Sequence, residues 1–383
     1  MNIGVIFGGR SVEHDISIIS AQAVMTGLRQ TKKYNIVPIY ITKKGKWLID
    51  ERLQFIKAFK NTGLLSGIEQ DSKYQLPVTD TRDKLIQLGT KTKFSLLKKY
   101  VRVDVFFPVM HGTFGEDGTI QGFLDLLDVP YVGCNLKSSA VAMDKIFTNQ
   151  ILTSYGLPKV KYLWFSKNEW GINPDNIYNE IEKNLKYPIF VKPASTGSSI
   201  GIGKANNKEE LCFSFEVATR YDSRIIVEEG ITDVMEINCA VLGNNDPIAS
   251  VLEEPISYKE FLTFNEKYIT KGGTMKGIKS KVKIPALLSP AKTKEVQDLA
   301  IKTFKVLNCS GTARVDFLID KKDNEKVYIN EVNPMPGSLQ AHLWKASGIE
   351  MTELLERLIS LAIEKHGNRN QNIYTFESGI FDK

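Results

Sequence analysis

Cysteine is scarce in this 383-residue chain. The four present (Cys134, Cys212, Cys239, Cys309) are scattered, with no C-x-x-C pair. That argues against a disulfide framework or a thiolate zinc cluster and favours a reducing compartment. Long apolar runs are also missing. The opening stretch, MNIGVIFGGRSVEHD, is apolar for only seven residues before glycines and charges intervene, which fits neither a signal peptide nor a membrane span. A cytoplasmic protein with no membrane partner is expected. No charge of one sign dominates: 50 basic residues face 44 acidic ones, a net charge of +6. This is not the footprint of a nucleic-acid binder, though it suits an anionic small ligand. Repeats and low-complexity tracts are absent as well.

What remains is ordinary globular composition, 42% hydrophobic and 25% charged, long enough for two or three domains. IGVIFG (3–8), then GRSVEHD, then ISIISAQAVMTGL read as strand, loop and helix, the opening of an α/β unit. IVPIYIT (36–42), VDVFFPVM (103–110) and VPYVG (129–133) read as further strands of a mostly parallel sheet. Residues 50–100 are charged and weakly patterned, and a surface insertion is expected there. The expected division is an N-terminal Rossmann-like domain over 1–131, a central α+β domain over 132–220 and a C-terminal domain over 221–383.

The most informative stretch is YINEVNPMPG, residues 328–337. Alternation puts Ile329, Glu331 and Asn333 on one face of a strand, and the prolines and glycine then end it. GTARVDFLID, upstream, carries Arg314 and Asp316 two apart, and KKDN between the two segments reads as the turn of an antiparallel pair. Asp316, Glu331 and Asn333 are then three oxygen donors on adjacent strands, a set suited to Mg²⁺ shared with a substrate phosphate. A solvated face with a cross-strand Arg–Glu pair is the plainer alternative.

Other stretches carry chemistry more weakly. In FVKPASTGSSIGIG, Lys192 closes an apolar strand before a glycine–serine loop whose N–H groups could cradle phosphate. The lysine precedes the glycine, so this is not the G-x-x-x-x-G-K-[ST] loop. AMDK places Lys145 at the mouth of a helix. IIVEEGITDVMEINCAV ends one strand in Glu228 and Glu229 and opens the next with Glu236, carboxylates suited to amino or ribose hydroxyl groups. Glu13 follows the first strand, where α/β sheets bind ligands, although the G-x-G-x-x-G spacing is lacking. Lys267 and Tyr268 lead into a lysine-rich, glycine-hinged segment that reads as a lid closing over phosphates.

Taken in order, VIFGGRSVEHDIS, HGTFGEDGTIQG, AMDK, FVKPASTGSSIGI, VEEGI, EKY, GTARVDF, NEVNPMPG and LWKASGI resemble the D-alanine–D-alanine ligases of the ATP-grasp group over most of the chain. The resemblance implies a three-domain ATP-grasp fold, combining α/β and α+β parts, with ATP between the central and C-terminal domains. It implies that Lys145 and Lys192 contact ATP phosphates. Glu228, Glu229, Glu236 and Lys267 would complete the nucleotide site. Asp316, Glu331 and Asn333 would hold two Mg²⁺, with Mn²⁺ an acceptable substitute. Glu13 would take the first D-alanine's ammonium, with Ser198 and Tyr268 closing the site. Arg314 and the Gly337 N–H would stabilise the oxyanion. His111, Ser338 and His342 would line the substrate pocket. The implied reaction joins two D-alanines through an acyl phosphate for peptidoglycan, in a protein that forms homodimers in many members of the family. A related ligase with D-serine, D-lactate or another acceptor is the alternative. Two departures bear on it. Pro334 stands where threonine is usual, and SLQAHLWKASG is shorter than the usual segment and lacks its carboxylate-binding serine.

Overall fold

The structure is a computed structural model and describes residues 1–71, 74–75, 84–87, 100–197, 199–256, 281–335 and 338–374. The chain begins with β1 (Asn2–Gly8), α1 (His14–Thr31), β2 (Asn35–Ile41) and β3 (Trp47–Ile49), then two short helices, α2 (Lys57–Lys60) and α3 (Thr62–Asp71). A small antiparallel sheet of β4 (Tyr74–Gln75), β5 (Lys84–Gln87) and β6 (Tyr100–Arg102) precedes β7 (Val105–Pro108). The first large sheet has the order β3-β2-β1-β7. β1 runs parallel to both β2 and β7, and β3 is antiparallel to β2. β1 is buried from Ile3 onward, as a parallel strand covered on both faces should be.

Two sequence expectations change here. Residues 51–71 are not a surface insertion. Leu53, Ala58 and Ile68 are fully buried, and the Phe59 ring meets Phe7 and Tyr40 edge-on, with centroids 5.9 and 5.1 Å apart. Their apolar residues are spaced too widely to stand out in a charged stretch, yet they cover the β1–β2 face. VPYVG is not a strand either. It follows α4 (Thr119–Leu126), makes a single parallel bridge, Phe106 to Tyr131, and leads into α5 (Leu136–Met143) and α6 (Lys145–Ser154).

The second sheet has the order β10-β9-β11-β8, made of β8 (Tyr162–Ser166), β9 (Ile189–Pro193), β10 (Gly203–Ala205) and β11 (Arg224–Glu229). Helices α7 (Lys167–Ile172), α8 (Pro174–Asn184) and α9 (Lys208–Ala218) lie in the same stretch of chain. Its core is built from Ile189, Val191, Ile225 and Val227 against Ile177, Ile181, Leu211 and Phe215. The expected division at residue 220 falls just before β11, but β11 pairs with β8 and β9. Strand pairing therefore groups residues 224–229 with the central sheet.

The third sheet, ordered β13-β12-β16-β17, comprises β12 (Val234–Gly243), β13 (Ile248–Ala249), β16 (Gly311–Asp320) and β17 (Lys326–Asn333). A two-stranded pair, β14 (Glu254–Ile256) with β15 (Lys281–Lys283), stands beside it. Helices α10 (Pro290–Val306), α11 (Ala341–Ala346) and α12 (Met351–Arg369) follow the chain order. The last two pack away from this sheet's main core. Leu343, Trp344, Leu354, Leu355 and Leu358 join the core of β1 and α1. At Gly27 a Cβ would sit 2.6 Å from Leu355 Cδ1, so α1 and α12 approach through a glycine. The two ends of the chain thus share one core, and this ties the third sheet to the first.

Candidate active site

β16 and β17 form the floor of the site. Asp316 lies opposite Glu331 and Arg314 opposite Asn333. The register then shifts, with Phe317 facing Ile329, so Asn330 is the extra residue of a β-bulge. This corrects the simple alternation. Val327, Ile329 and Val332 all enter the core with Val315, Phe317 and Ile319. A regular strand carrying Val327 and Ile329 into the core would carry Glu331 there too. The bulge turns Glu331 and Asn333 onto the face of Arg314 and Asp316.

Arg314 grips Asp316 with both guanidinium edges, Nε to Oδ1 at 2.6 Å and Nη2 to Oδ2 at 2.7 Å. Arg314 therefore makes a same-strand bidentate pair with Asp316, and the Glu331 charge on the neighbouring strand also acts on it. Burial pushes the Asp316 carboxyl up, against Arg314, with Glu331 and Glu253 adding to the rise. Asn333 Oδ1 accepts from Met335 N at 3.1 Å, fixing the start of the turn. Crowded carboxylates beside an amide oxygen are a hard donor set with excess negative charge. They fit a divalent cation such as Mg²⁺.

Above the floor, Lys192 and Glu228 share a face of the central sheet, because Lys192 pairs with Ile226 and Phe190 with Glu228. Lys192 Nζ donates to Glu228 Oε2 at 2.5 Å, and Asn149 Nδ2 donates to Glu228 Oε1 at 2.9 Å. Burial raises the Glu228 carboxyl, but Lys192 and Lys159 outweigh it and bring it to about 2. Asp144 caps α6 by accepting from Ile146 and Phe147 N–H and pairs with Arg224. That cap holds Lys145 at the first helical position. Its N–H donates to Ala194 O at 2.9 Å, and its Nζ to Thr196 O at 2.6 Å. Burial lowers the Lys145 ammonium, Lys192 adds to this, and Glu331 and Glu228 oppose it. Two lysines, Glu228 and Glu331 thus feel one another across the gap between the second and third sheets.

The first sheet closes the third side. Glu13, 6% exposed, stands just before α1. Gly112 has φ +67°, and a Cβ there would lie 2.7 Å from Glu13 Oε2, so only glycine suits this approach. Gly112 N donates to Glu116 Oε2 at 2.9 Å. Burial, reinforced by Glu13, pushes the Glu116 carboxyl up to about 8, with Arg314 opposing and Glu331 adding. The Glu13 carboxylate also lies 3.9 Å from where a Cβ on Gly197 would stand. The glycine–serine loop therefore reaches the first sheet.

The match to known proteins follows these elements. Residues 2–134 match the model of the D-ala D-ala ligase N-terminus, and residues 151–360 that of the D-ala D-ala ligase C-terminus. The chain belongs to the D-alanine–D-alanine ligase family. A D-alanine–D-alanine ligase of Natranaerobius thermophilus is 40% identical over 380 residues, covering 98% of both chains. One of Chloroherpeton thalassium is 41% identical over 371 residues, 96% of this chain and 97% of that one. Among solved structures, the D-alanine–D-alanine ligase from Coxiella burnetii superposes with a TM-score of 0.80 at 33% identity, over 97% of this chain and 96% of that one. The VanG D-Ala:D-Ser ligase from Enterococcus faecalis gives 0.78 at 33% identity, over 94% of this chain and 99% of that one. The fold is thus the three-sheet ATP-grasp arrangement of this ligase family.

Not every residue singled out in the sequence meets in this cleft. Glu13, Lys145, Lys192, Glu228, Arg314, Asp316, Glu331 and Asn333 line or border it. Glu236 is exposed on β12 and close enough to raise the Lys192 ammonium. Glu229 turns to the opposite face of β11 from Glu228, where it accepts from Lys186 N at 3.0 Å. His111 is buried against Ser20 Oγ at 3.0 Å, and desolvation holds its imidazole down at about 4, so it is neutral. His342 is paired with Glu253, and Ser338 is exposed. Ser198, Lys267, Tyr268 and Gly337 lie outside the described residues. Sequence reasoning missed Glu116, Lys159, Asn149 and Glu253. Glu116 sat within the quoted HGTFGEDG and was readable as a carboxylate beside Glu13's loop. Asn149 and Glu253 carry no local pattern that marks them.

Proposed function

We propose that this chain joins two molecules of D-alanine at the expense of ATP, supplying D-alanyl-D-alanine for peptidoglycan. The observation that carries this reading is the meeting across one cleft of Lys145 and Lys192 with Glu331, which lies opposite Asp316. Cations and oxygen donors face each other there as transfer of a phosphoryl group requires.

In this reading Lys145 and Lys192 bind the ATP phosphates as point charges, which requires Lys192 to exchange part of its contact with Glu228 for phosphate. Glu228 and Glu236 take adenine and ribose, and Lys267 borders the nucleotide. Asp316, Glu331 and Asn333 would hold two Mg²⁺, or Mn²⁺ in its place, which would supply charge neutralisation for the phosphates. Glu13 receives the ammonium of the first D-alanine, whose carboxylate attacks the terminal phosphorus to give an acyl phosphate and ADP. The amine of the second D-alanine then attacks the acyl carbon and phosphate leaves. Arg314 and the Gly337 N–H stabilise the oxyanion that develops. The Asp316 pair holds the Arg314 guanidinium in a fixed plane, so little reorganisation is needed at that moment. Ser198 and Tyr268 order the closed site with Glu13. His111, Ser338 and His342 border the substrates, and His111 acts as a neutral hydrogen-bonding group.

We place the protein in the cytoplasm; among the described residues no helix is long and apolar enough to cross a membrane. A homodimer and the three-domain division, with β11 in the central domain, belong to the same proposal. Mass spectrometry of products from ATP, Mg²⁺ and a mixture of D- and L-amino acids tests it. D-Alanyl-D-alanine with one ADP per dipeptide is expected. ADP formation that does not depend on D-alanine would overturn the reading, and a product with another second residue would move the acceptor.

A further inference from the structure

The bulge in β17 decides which way Glu331 points, and one side chain holds that bulge. β17 is the edge strand of its sheet, so the carbonyls on its open side have no strand partner to donate to them. The chain leaving α6 runs along this edge. Ile329 N donates to Pro158 O at 2.9 Å. Lys159 Nζ then donates to Ile329 O at 2.6 Å and to Asn330 O at 2.8 Å. In a regular strand, consecutive carbonyls point to opposite sides. Here both reach one ammonium, because Asn330 is the extra residue.

We propose that Lys159 is a positioning residue for the metal ligands, holding the two carbonyls of the β17 bulge so that Glu331 and Asn333 face Asp316 rather than the core. The assignment rests on the ligase reading above. Three observations support it. Glu331 is the residue directly after the clamped carbonyl of Asn330. Val327, Ile329 and Val332 enter the core at a spacing that only the bulge permits. Lys159 belongs to the segment leading into β8 of the central sheet, whereas its acceptors belong to the third sheet. One ammonium thus ties together the two sheets that flank the nucleotide. It stays close enough to Glu228, Lys192 and Glu331 for their charges to act on it. Lys145 and Lys192 have sequence signals, at a helix mouth and in a glycine–serine loop. Lys159 sits in PKVKYLW with none.

The test compares Lys159→Met, Lys159→Gln and Lys159→Arg with the unmodified protein. Mg²⁺ is titrated against a non-hydrolysable ATP analogue by calorimetry without amino acid, alongside KM for D-alanine and the thermal midpoint. Lys159→Met should weaken the Mg²⁺ midpoint by about tenfold or more, as loss of an outer partner of a metal ligand does, with KM for the first D-alanine unchanged. Lys159→Arg should recover most of it, because a second cationic donor can span both carbonyls, and Lys159→Gln should fall between. If Lys159→Met does not fold, the ordering of Gln and Arg decides. A lowered thermal midpoint with an unchanged Mg²⁺ midpoint would reduce Lys159 to a structural tie and overturn the role alone. An unmodified chain that bound no Mg²⁺–nucleotide would overturn the ligase reading and this role together.

Discussion

The two ends of the cleft are built differently. At the nucleotide end, almost every charged group has a buried partner. Lys192 meets Glu228, which meets Asn149; Arg314 holds Asp316; Lys145 caps the turn at Thr196. At the end formed by Ser338–His342, the first and last side chains are exposed and the backbone between them is strained. Ser338 and His342 are exposed, and Leu339 and Gln340 both adopt positive φ, 51° and 48°, a conformation costly for residues other than glycine. Both residues lie immediately before α11, where the chain turns into the helix. In the proposed reading, affinity for phosphate and metal would come from these paired, buried charges, and preference among second amino acids from a few side chains at the strained corner.

The largest expected effect breaks the nucleotide end. Glu331→Gln keeps the shape of the side chain and removes its charge. Turnover should fall by on the order of 10³, the worth of several kcal/mol of charge stabilisation, with an unchanged circular dichroism spectrum. Steady-state ADP release measures it; activity within tenfold of the starting protein would remove Glu331 from the metal site.

Lys192→Met should follow, and it sharpens the point because it separates stability from binding. It leaves Glu228 buried without its ammonium, a loss of about 3–5 kcal/mol, read by chemical denaturation. Adding Glu228→Gln neutralises that carboxylate and should restore most of the stability, yet nucleotide affinity should stay low. If the double variant regained both, the pair would be structural only.

The difference between the two ends also explains how much could be read from sequence. The nucleotide end was legible because strand ends, caps and glycine loops leave local patterns: Asp144 before Lys145, Lys192 before its loop, Glu331 and Asn333 before two prolines. The bulge was not legible. Strict alternation sets Ile329 beside Glu331, and only the partner strand shows that an extra residue intervenes. Residues 51–71 were misread because their burial depends on a face contributed by β1 and β2, not on their own periodicity. Lys159 and Glu253 could not be found either, since each acts through segments 89 to 171 residues away.

A buried imidazole gives the next effect. His111 is neutral in the folded chain, with its pKa lowered from 6.5 to about 4 by desolvation. Unfolding lets it take up a proton between those values. Its contribution is therefore complete above pH 6.5 and is lost as pH falls toward 4, at most about 3 kcal/mol. Thermal midpoints at pH 7.5, 6 and 5 should drop more steeply for the unmodified protein than for His111→Asn, which has no such proton to bind. Parallel curves would mean that water reaches the ring.

The smallest effect belongs to the strained corner. His342 is exposed and its partner Glu253 is buried, where Asn238 Nδ2 also donates to it at 3.1 Å. Burial raises the Glu253 carboxyl, but His342 leads the groups that bring it below its usual value. Because Asn238 remains to satisfy Glu253, His342→Ala strips one exposed partner from a carboxylate that keeps another. Losing one of two hydrogen-bond donors to Glu253 costs about 1 kcal/mol, so KM for the second D-alanine should rise no more than about fivefold, with kcat and KM for ATP unmoved. A rise of a hundredfold would show that this corner binds the acceptor as firmly as the lysines bind phosphate. The contrast between the two ends would then vanish. A fall in KM for D-serine in the same variant would instead place His342 among the groups that select the second residue, and would sharpen the contrast into a division of labour.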